Sequence, residues 1–363
     1  MNNKAGVLTV GRRKIGPGYP AFVIAEIGCN FEGNLDRAKE MIANASLAGV
    51  DAVKFQTFTA EKITTRSARK FWEIEGCPGQ TQYEEFLQMP RLSFKEYGEL
   101  KDTARRHGII FFSSPEDEGS CDILEKVGVP LYKISSMNIT HFPLIEHVAR
   151  KRKPVIISTG ASSIAEIREA LSVVRKTGNG KVALLHCITN YPTKDKDVNL
   201  NMITHLKKAF PGLVIGYSDH TLPEDGEGII TAAVALGANI IEKHFTFDNK
   251  RPGYDHAISA DYKGLKHIVA QIRRAEEAFG EEYKRPIGSE KKARVHARRS
   301  LVAARHISKG SVISRDMIDV KRPGTGIEPR YLEAVIGKAA RVEIEDDSVL
   351  RWNMIKNGRG AGK

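Results

Sequence analysis

Leu213-Val-Ile-Gly-Tyr-Ser-Asp-His220 and Ala238-Asn-Ile-Ile-Glu-Lys-His-Phe-Thr246 are the two stretches that decide the architecture. Each opens as a short apolar, strand-like run and then displays a histidine just past the strand's end. Either histidine alone is more often a loop cap than a ligand. The repeated placement, each time with acidic or hydroxyl neighbours, points to a site at one rim of a sheet. Two imidazoles side by side there can hold a divalent metal, which polarises a carbonyl or activates water.

Working outward, six further apolar runs precede these two: Phe22–Ile24, Ala52–Phe55, Ile109–Phe112, Leu131–Ile134, Val155–Ile157 and Val182–Leu185. Helical patterns lie between them. Leu35, Ala38, Met41, Ile42 and Ala45 share one face at helical spacing. Ser93 and Glu96 form a capping box that opens a helix through Arg105, stopped by Gly108. Ser163–Lys176, Glu227–Leu236 and Tyr262–Phe279 also fit helices. Short strands joined by helical crossovers imply a parallel sheet buried on both faces. Eight such units over about 260 residues predict a closed (β/α)8 TIM barrel. A doubly wound sheet would want a Gly-rich phosphate turn after the first strand, whereas Ala25-Glu-Ile-Gly-Cys-Asn30 carries one glycine and an acid.

The pattern changes near residue 283. Residues 1–282 read as the barrel domain, 283–296 as a charged linker, 297–357 as a small, mainly β or irregular module, and 358–363 as a disordered tail. The chain has 363 residues, 41% of them apolar and 28% charged, the composition of a soluble globular protein. No apolar run is long enough for a membrane span, and the polar N-terminus has no secretory h-region. Four scattered cysteines, Cys29, Cys77, Cys121 and Cys187, read as reduced thiols, so the expected location is the cytoplasm. The net charge is +12, and residues 284–363 hold 19 Lys+Arg against 9 Asp+Glu. This basic end has no interleaved aromatics and no groove-reading motif, so it predicts no nucleic-acid binding.

TIM-barrel sites lie at the C-terminal ends of the strands. There the sequence places Glu26, Lys54, Ser114, Lys133, Ser136, Ser158, Thr189, Tyr191, Ser218, His220, Glu242, Lys243 and His244. Lys54 and Lys133 stand inside short apolar strands and need anionic partners. An internal salt bridge, for instance Lys54 to Glu26, would serve. A phosphate or carboxylate ligand is the preferred reading, because two lysines and few carboxylates converge. Asp255 and His256, in the loop after the last strand, are candidates for a third metal ligand or a proton shuttle, or else for turn chemistry around Pro252-Gly253.

Taken as a set, Ala25-Glu-Ile-Gly28, Asp51–Gln56, Tyr132–Ser136, Ser158-Thr-Gly160, Leu185-His-Cys187 with Tyr191-Pro192, Gly216–His220, Glu242–Thr246 and Lys321-Arg-Pro-Gly324 resemble the bacterial sialic acid synthases, from about residue 20 to residue 355. The C-terminal module resembles their antifreeze-like (SAF) domain. The resemblance implies condensation of phosphoenolpyruvate with an N-acetylated amino-sugar aldehyde (N-acetylmannosamine or a 2,4-diacetamido-6-deoxy hexose) to a nine-carbon sialic or nonulosonic acid plus phosphate. It implies a divalent metal, Mn2+ before Mg2+ or Co2+, on His220 and His244. It implies that Lys54, Lys133, Ser136, Ser158, Thr189 and Tyr191 bind phosphoenolpyruvate, with Ser114 and Ser218 nearby, and that Glu26 and Asp255 touch the sugar or steer water. Arg322 is implied to bind the N-acetyl group in the partner's site of a domain-swapped homodimer. The chain departs from the family pattern at Phe31 (often His), Asn138 (often an acid) and Tyr254 (often Pro), and residues 60–90 are expected to line the sugar pocket. Two readings compete: a catalytically silent sugar- or polyanion-binding barrel, and a metal-dependent hydrolase, which would want more ligands than two histidines.

Overall fold

The structure is a computed structural model and describes residues 6–70, 79–223 and 226–356. The chain divides into two compact units, Met1–Gly280 and Glu281–Lys363. The unit boundary thus falls beside the expected end of the barrel. The expected tail, 358–363, lies outside the described residues.

The first unit opens with a hairpin that the sequence reading passed over. Strand β1 (Leu8–Val10) pairs antiparallel with β2 (Arg13–Ile15). Leu8, Val10 and Ile15 are buried in the same apolar cluster as the barrel. Three-residue strands flanked by charges leave too little alternation to detect. Arg13 reaches Asp51, immediately before a barrel strand, at 3.0 Å. The hairpin therefore sits at the N-terminal end of the barrel, opposite the expected site.

Eight parallel strands follow: β3 (Phe22–Gly28), β4 (Ala52–Thr57), β5 (Ile110–Pro115), β6 (Tyr132–Ile134), β7 (Val155–Ser158), β8 (Val182–His186), β9 (Val214–Asp219) and β10 (Ile240–His244). Their hydrogen-bonded order is β5-β4-β3-β10-β9-β8-β7-β6. β10 pairs with β3 in parallel, which joins the last strand to the first. β5 and β6 lie side by side and complete the ring without a ladder between them. The barrel is therefore nearly closed, with one seam, rather than fully closed as the sequence suggested. The short β6 offers few backbone groups for pairing.

Several strands run past the apolar runs that announced them. Glu26, Ser113, Ser114, Ser218, Glu242 and His244 are strand residues, not loop residues. Side chains alternate across a strand. Glu242 and His244 accordingly face the barrel mouth, while Lys243 between them turns outward. Lys243 is fully buried there, with Nζ 2.6 Å from Asp219 and 2.7 Å from the Thr221 carbonyl.

The helices match the sequence reading closely. Asn34 caps Leu35–Ala48, accepting from the Arg37 N–H at 3.0 Å, and Gly49 ends it at a left-handed φ of 91°. Ala38, Met41, Ile42 and Ala45 are its buried face. Capping boxes at Ser93/Glu96 and Ser163/Glu166 start Phe94–Arg106 and Ile164–Lys176. Tyr262–Phe279 is one helix. Among the described residues no helix is long and apolar enough to cross a membrane. Cys29, Cys121 and Cys187 are free and buried.

In the second unit, β11 (Ser300–Ala303) pairs antiparallel with β12 (Ile318–Lys321), and isolated bridges add Ile307 to Ile344 and Ala340 to Ile355. Leu301, Ile307, Ile313, Ile327, Val335 and Leu350 form its small core. The stretch expected to be an irregular linker carries a 3-10 turn, Gly288–Glu290, and a short helix, Lys291–His296. Arg322 is exposed just after β12.

Candidate active site

The C-terminal mouth of the barrel holds a cavity of about 490 Å³. Of the barrel residues picked out from the sequence, Glu26, Lys54, Ser114, Lys133, Ser136, Ser158, Thr189, Tyr191, Ser218, His220, Glu242, His244 and Asp255 line it, whereas Lys243 and His256 do not. Arg322 belongs to the other unit.

Lys54 and Lys133 are buried at its floor. Lys54 Nζ lies 2.9 Å from Glu26 Oε2, 3.8 Å from Glu242 Oε2 and 3.4 Å from Ser114 Oγ. Lys133 Nζ lies 3.1 Å from Glu242 Oε1, which also accepts from Ser218 Oγ at 3.0 Å. The internal salt bridge that the sequence reading ranked second is therefore present, and Glu242 joins both ammonium groups. Burial alone would push the Lys54 pKa down, but Glu242 and then Glu26 outweigh it and raise the pKa. Burial likewise opposes the ionised form of Glu242, yet Lys133 and Lys54 hold its pKa below the usual carboxylate value. Ser158 Oγ is buried without a hydrogen-bond partner among the described residues. An unpartnered hydroxyl lining the same cavity as two ammonium groups suits an anionic ligand's oxygens.

The imidazoles of His220 and His244 stand 5.4 Å apart, centre to centre. The Ile188 carbonyl lies 2.6 Å from His220 Nδ1. That contact puts the proton on Nδ1 and leaves Nε2 as the lone-pair nitrogen. Burial first, and then His244, lowers the His220 pKa to about 4, so it is neutral at neutral pH. Tyr191 stacks on His220 at 4.3 Å. Asp255 Oδ2 sits 3.3 Å from His244 Nδ1. Burial would raise the Asp255 pKa, but His244 reverses this and lowers it. Among the described residues no group of three or more His, Cys, Asp or Glu side chains is arranged to hold a metal. Two imidazoles with oriented rings do fit an ion that keeps most of its coordination for water and substrate oxygens, as Mn2+ and Mg2+ do.

His256 is not a third ligand. Its Nδ1 lies 2.7 Å from Thr246 Oγ1 and its Nε2 3.1 Å from Glu32 Oε1, so it braces the loop that presents Asp255. Phe31 departs from the family pattern without consequence for the cavity, because its ring is buried against Phe55. Asn138 and Tyr254, by contrast, both line the cavity, as do Lys62, Ile63, Phe86 and Met89 from the segment 60–90 expected to face a sugar, and Phe58 just before it.

The signature of the NeuB family matches residues 41–284, and that of the SAF domain matches residues 298–356. The chain belongs to the NeuB family. An uncharacterized protein of Methanocaldococcus jannaschii is 43% identical to this NeuB member over 95% of its chain and 98% of the relative. The N,N'-diacetyllegionaminic acid synthase of Legionella pneumophila is 38% identical, again over 95% and 98%. Among solved structures, the N-acetylneuraminic acid synthetase of Leptospira borgpetersenii, in complex with citrate, superposes with a TM-score of 0.71 at 34% identity, covering 79% of this chain and 95% of that one.

One acid of this NeuB site, Glu116, is not marked by the sequence, and the role of a second, Glu242, is not legible there. Glu242 was visible at a strand end, but its service to both lysines depends on the β10 register. Glu116 sits in the run Pro115-Glu-Asp-Glu118, which reads as a helix start. Asp117 does cap the helix Glu118–Val127, accepting from the Ser120 N–H at 2.8 Å. Glu116 instead turns into the cavity.

Proposed function

We propose that this NeuB-family protein condenses phosphoenolpyruvate with an N-acetylated amino-sugar aldehyde, giving a nine-carbon 2-keto sugar acid and phosphate. The observation that carries this reading is the pairing, in one cavity, of two buried ammonium groups with two imidazoles that stand 5.4 Å apart. Lys54 and Lys133, with Ser158 Oγ, offer donors to a phosphate and a carboxylate. When bound, a divalent ion (Mn2+ first, Mg2+ or Co2+ as alternatives) on His220 and His244 would polarise the aldehyde oxygen. Asp255 holds the His244 ring in place. The C3 carbon of phosphoenolpyruvate forms the new bond to the aldehyde carbon, and that oxygen takes a proton. Water adds at C2, with Glu26 placed to accept its proton, and the tetrahedral C2 expels phosphate by C–O cleavage. The aromatic and methionine side chains on the outer wall supply apolar surface for acetamido methyl groups. By family resemblance, Arg322 serves the partner subunit's cavity in a homodimer.

The test is phosphate release. Purified protein with phosphoenolpyruvate and Mn2+ is expected to release phosphate on addition of N-acetylmannosamine or a 2,4-diacetamido-6-deoxy hexose, with the nine-carbon product seen by mass spectrometry. Silence with every such sugar would overturn the reading.

A further inference from the structure

The seam between β5 and β6 has no backbone ladder, and a side chain bridges it at the cavity rim. Glu116, directly after β5, accepts at Oε2 from Ser135 Oγ at 2.9 Å and from the Asn138 amide, both directly after β6. Both bonds fall on one oxygen, while the half-buried carboxyl lines the cavity. The donors are neutral. Among the described residues no cationic side chain is in ion-pair contact with Glu116. Asn138 occupies the position where the family resemblance led us to expect an acid; here the acid comes from across the seam.

The charges around it are unevenly matched. Lys54 of β4 and Lys133 of β6 both act electrostatically on Glu116. They are already matched by Glu26 of β3 and Glu242 of β10. Lys62, Glu85 and His141 complete the charged and titratable lining on this side. A phosphate or carboxylate settling on the lysines adds negative charge to a cluster whose two ammonium groups are already matched by two carboxylates, and Lys62, the further ammonium group on the lining, stands outside those ion pairs. Glu116, whose hydrogen bonds come from neutral donors, can offset it by binding a proton, whereas Lys133 and Lys54 hold the Glu242 pKa below the usual carboxylate value.

We propose that Glu116 is the proton acceptor linked to anion binding: when an anionic substrate settles on Lys54 and Lys133, Glu116 takes one proton from solvent, and its neutral carboxylic acid then donates a hydrogen bond into the cavity. The inference rests on the anion-site reading above. Burial, opposed by the Ser135 bond and the lysines, raises the free carboxyl's pKa from 4.5 to about 7, which puts the uptake in the physiological range.

Inorganic sulfate is the probe, because it does not itself titrate near neutral pH. Calorimetry of the full chain in buffers of different ionisation enthalpy counts the protons. Competition by phosphoenolpyruvate identifies the cavity as the sulfate site. Wild type is expected to take up close to one proton per sulfate at pH 8, with Kd weakening by up to about tenfold per pH unit above pH 7. Glu116→Gln, which copies the protonated shape, should bind sulfate with no proton uptake and a flat pH profile. Equal proton counts in wild type and Glu116→Gln, or a count of zero in wild type, would overturn the proposal and leave the anion site standing. Sulfate that fails to bind wild type, or is not competed by phosphoenolpyruvate, would overturn the anion site together with it. The wild-type proton count needs no variant, so a misfolded Glu116→Gln does not rescue the idea.

Discussion

The two histidines and two lysines were legible in the sequence because charge and imidazole are rare in apolar strands. Their partners were less so. Asp255 was visible as an acid in a loop, but its contact with His244 Nδ1 depends on how His256 anchors that loop to Glu32 and Thr246. Removal of a ring should cost more than removal of its support. His220→Ala is expected to lower metal-dependent phosphate release by more than a hundredfold, whereas Asp255→Asn weakens Mn2+ by about ten- to a hundredfold. Mn2+ titrations of activity would check both, and full activity in His220→Ala and His244→Ala would remove the metal assignment. Glu116 makes a separate stability prediction. Its folded pKa lies above its unfolded value, from 4.5 to about 7. Its contribution is therefore fully present below about pH 4.5 and is lost as pH rises to about 7. Relative to wild type, Glu116→Gln should gain stability across that window, by on the order of 3 kcal/mol at most, and hold the gain above it. Parallel pH series of urea melts would show this; curves that stay parallel from pH 4 to 8 would refute it.

At the scale of elements, the capping box at Ser93 and Glu96 is legible in the sequence because capping is local. Asn34 and Ser163, which the sequence reading does not single out as caps, satisfy the first N–H groups of their helices in the same way. Strand ends were read short, because polar residues such as Glu26, Ser114 and Glu242 look like loop until their alternate neighbours are known to be buried. Of the two glycines within the barrel strands, Gly216 in β9 is packed more tightly than Gly28 in β3. A Cβ on Gly216 would meet the Ile240 carbonyl oxygen and Leu185 Cδ2, each at 2.5 Å. Gly216→Ala should thus destabilise the barrel by about 1–3 kcal/mol. It should also disturb Ser218 and His220 two and four residues on. Thermal unfolding together with Mn2+ affinity reads both effects, and an unchanged melting temperature would contradict the packing argument.

At the scale of the whole molecule, the change of pattern near residue 283 announced two units, and the chain divides after Gly280. The basic second unit gains a purpose if Arg322 serves a partner's cavity. Mixing Glu26→Gln and Arg322→Ala proteins, each inactive alone, should then restore about a quarter of wild-type activity after subunit exchange. Half the dimers are mixed, and each mixed dimer holds one site with both residues intact. No recovery on mixing, with exchange verified by mass, would argue against sharing of sites.

By itself the sequence determined the alternation of strand and helix, the helix start at Ser93, the change of pattern near residue 283 and the histidines and lysines at the strand ends. These follow from periodicity, capping and composition, which act within a few residues of the chain. Only the tertiary structure decided that Glu242 serves both lysines, that Lys243 turns away to Asp219, that the ring has a seam, and that Glu116 bridges it. Each of those depends on the register between strands far apart in sequence, and a shift of one residue would reverse which face every side chain takes.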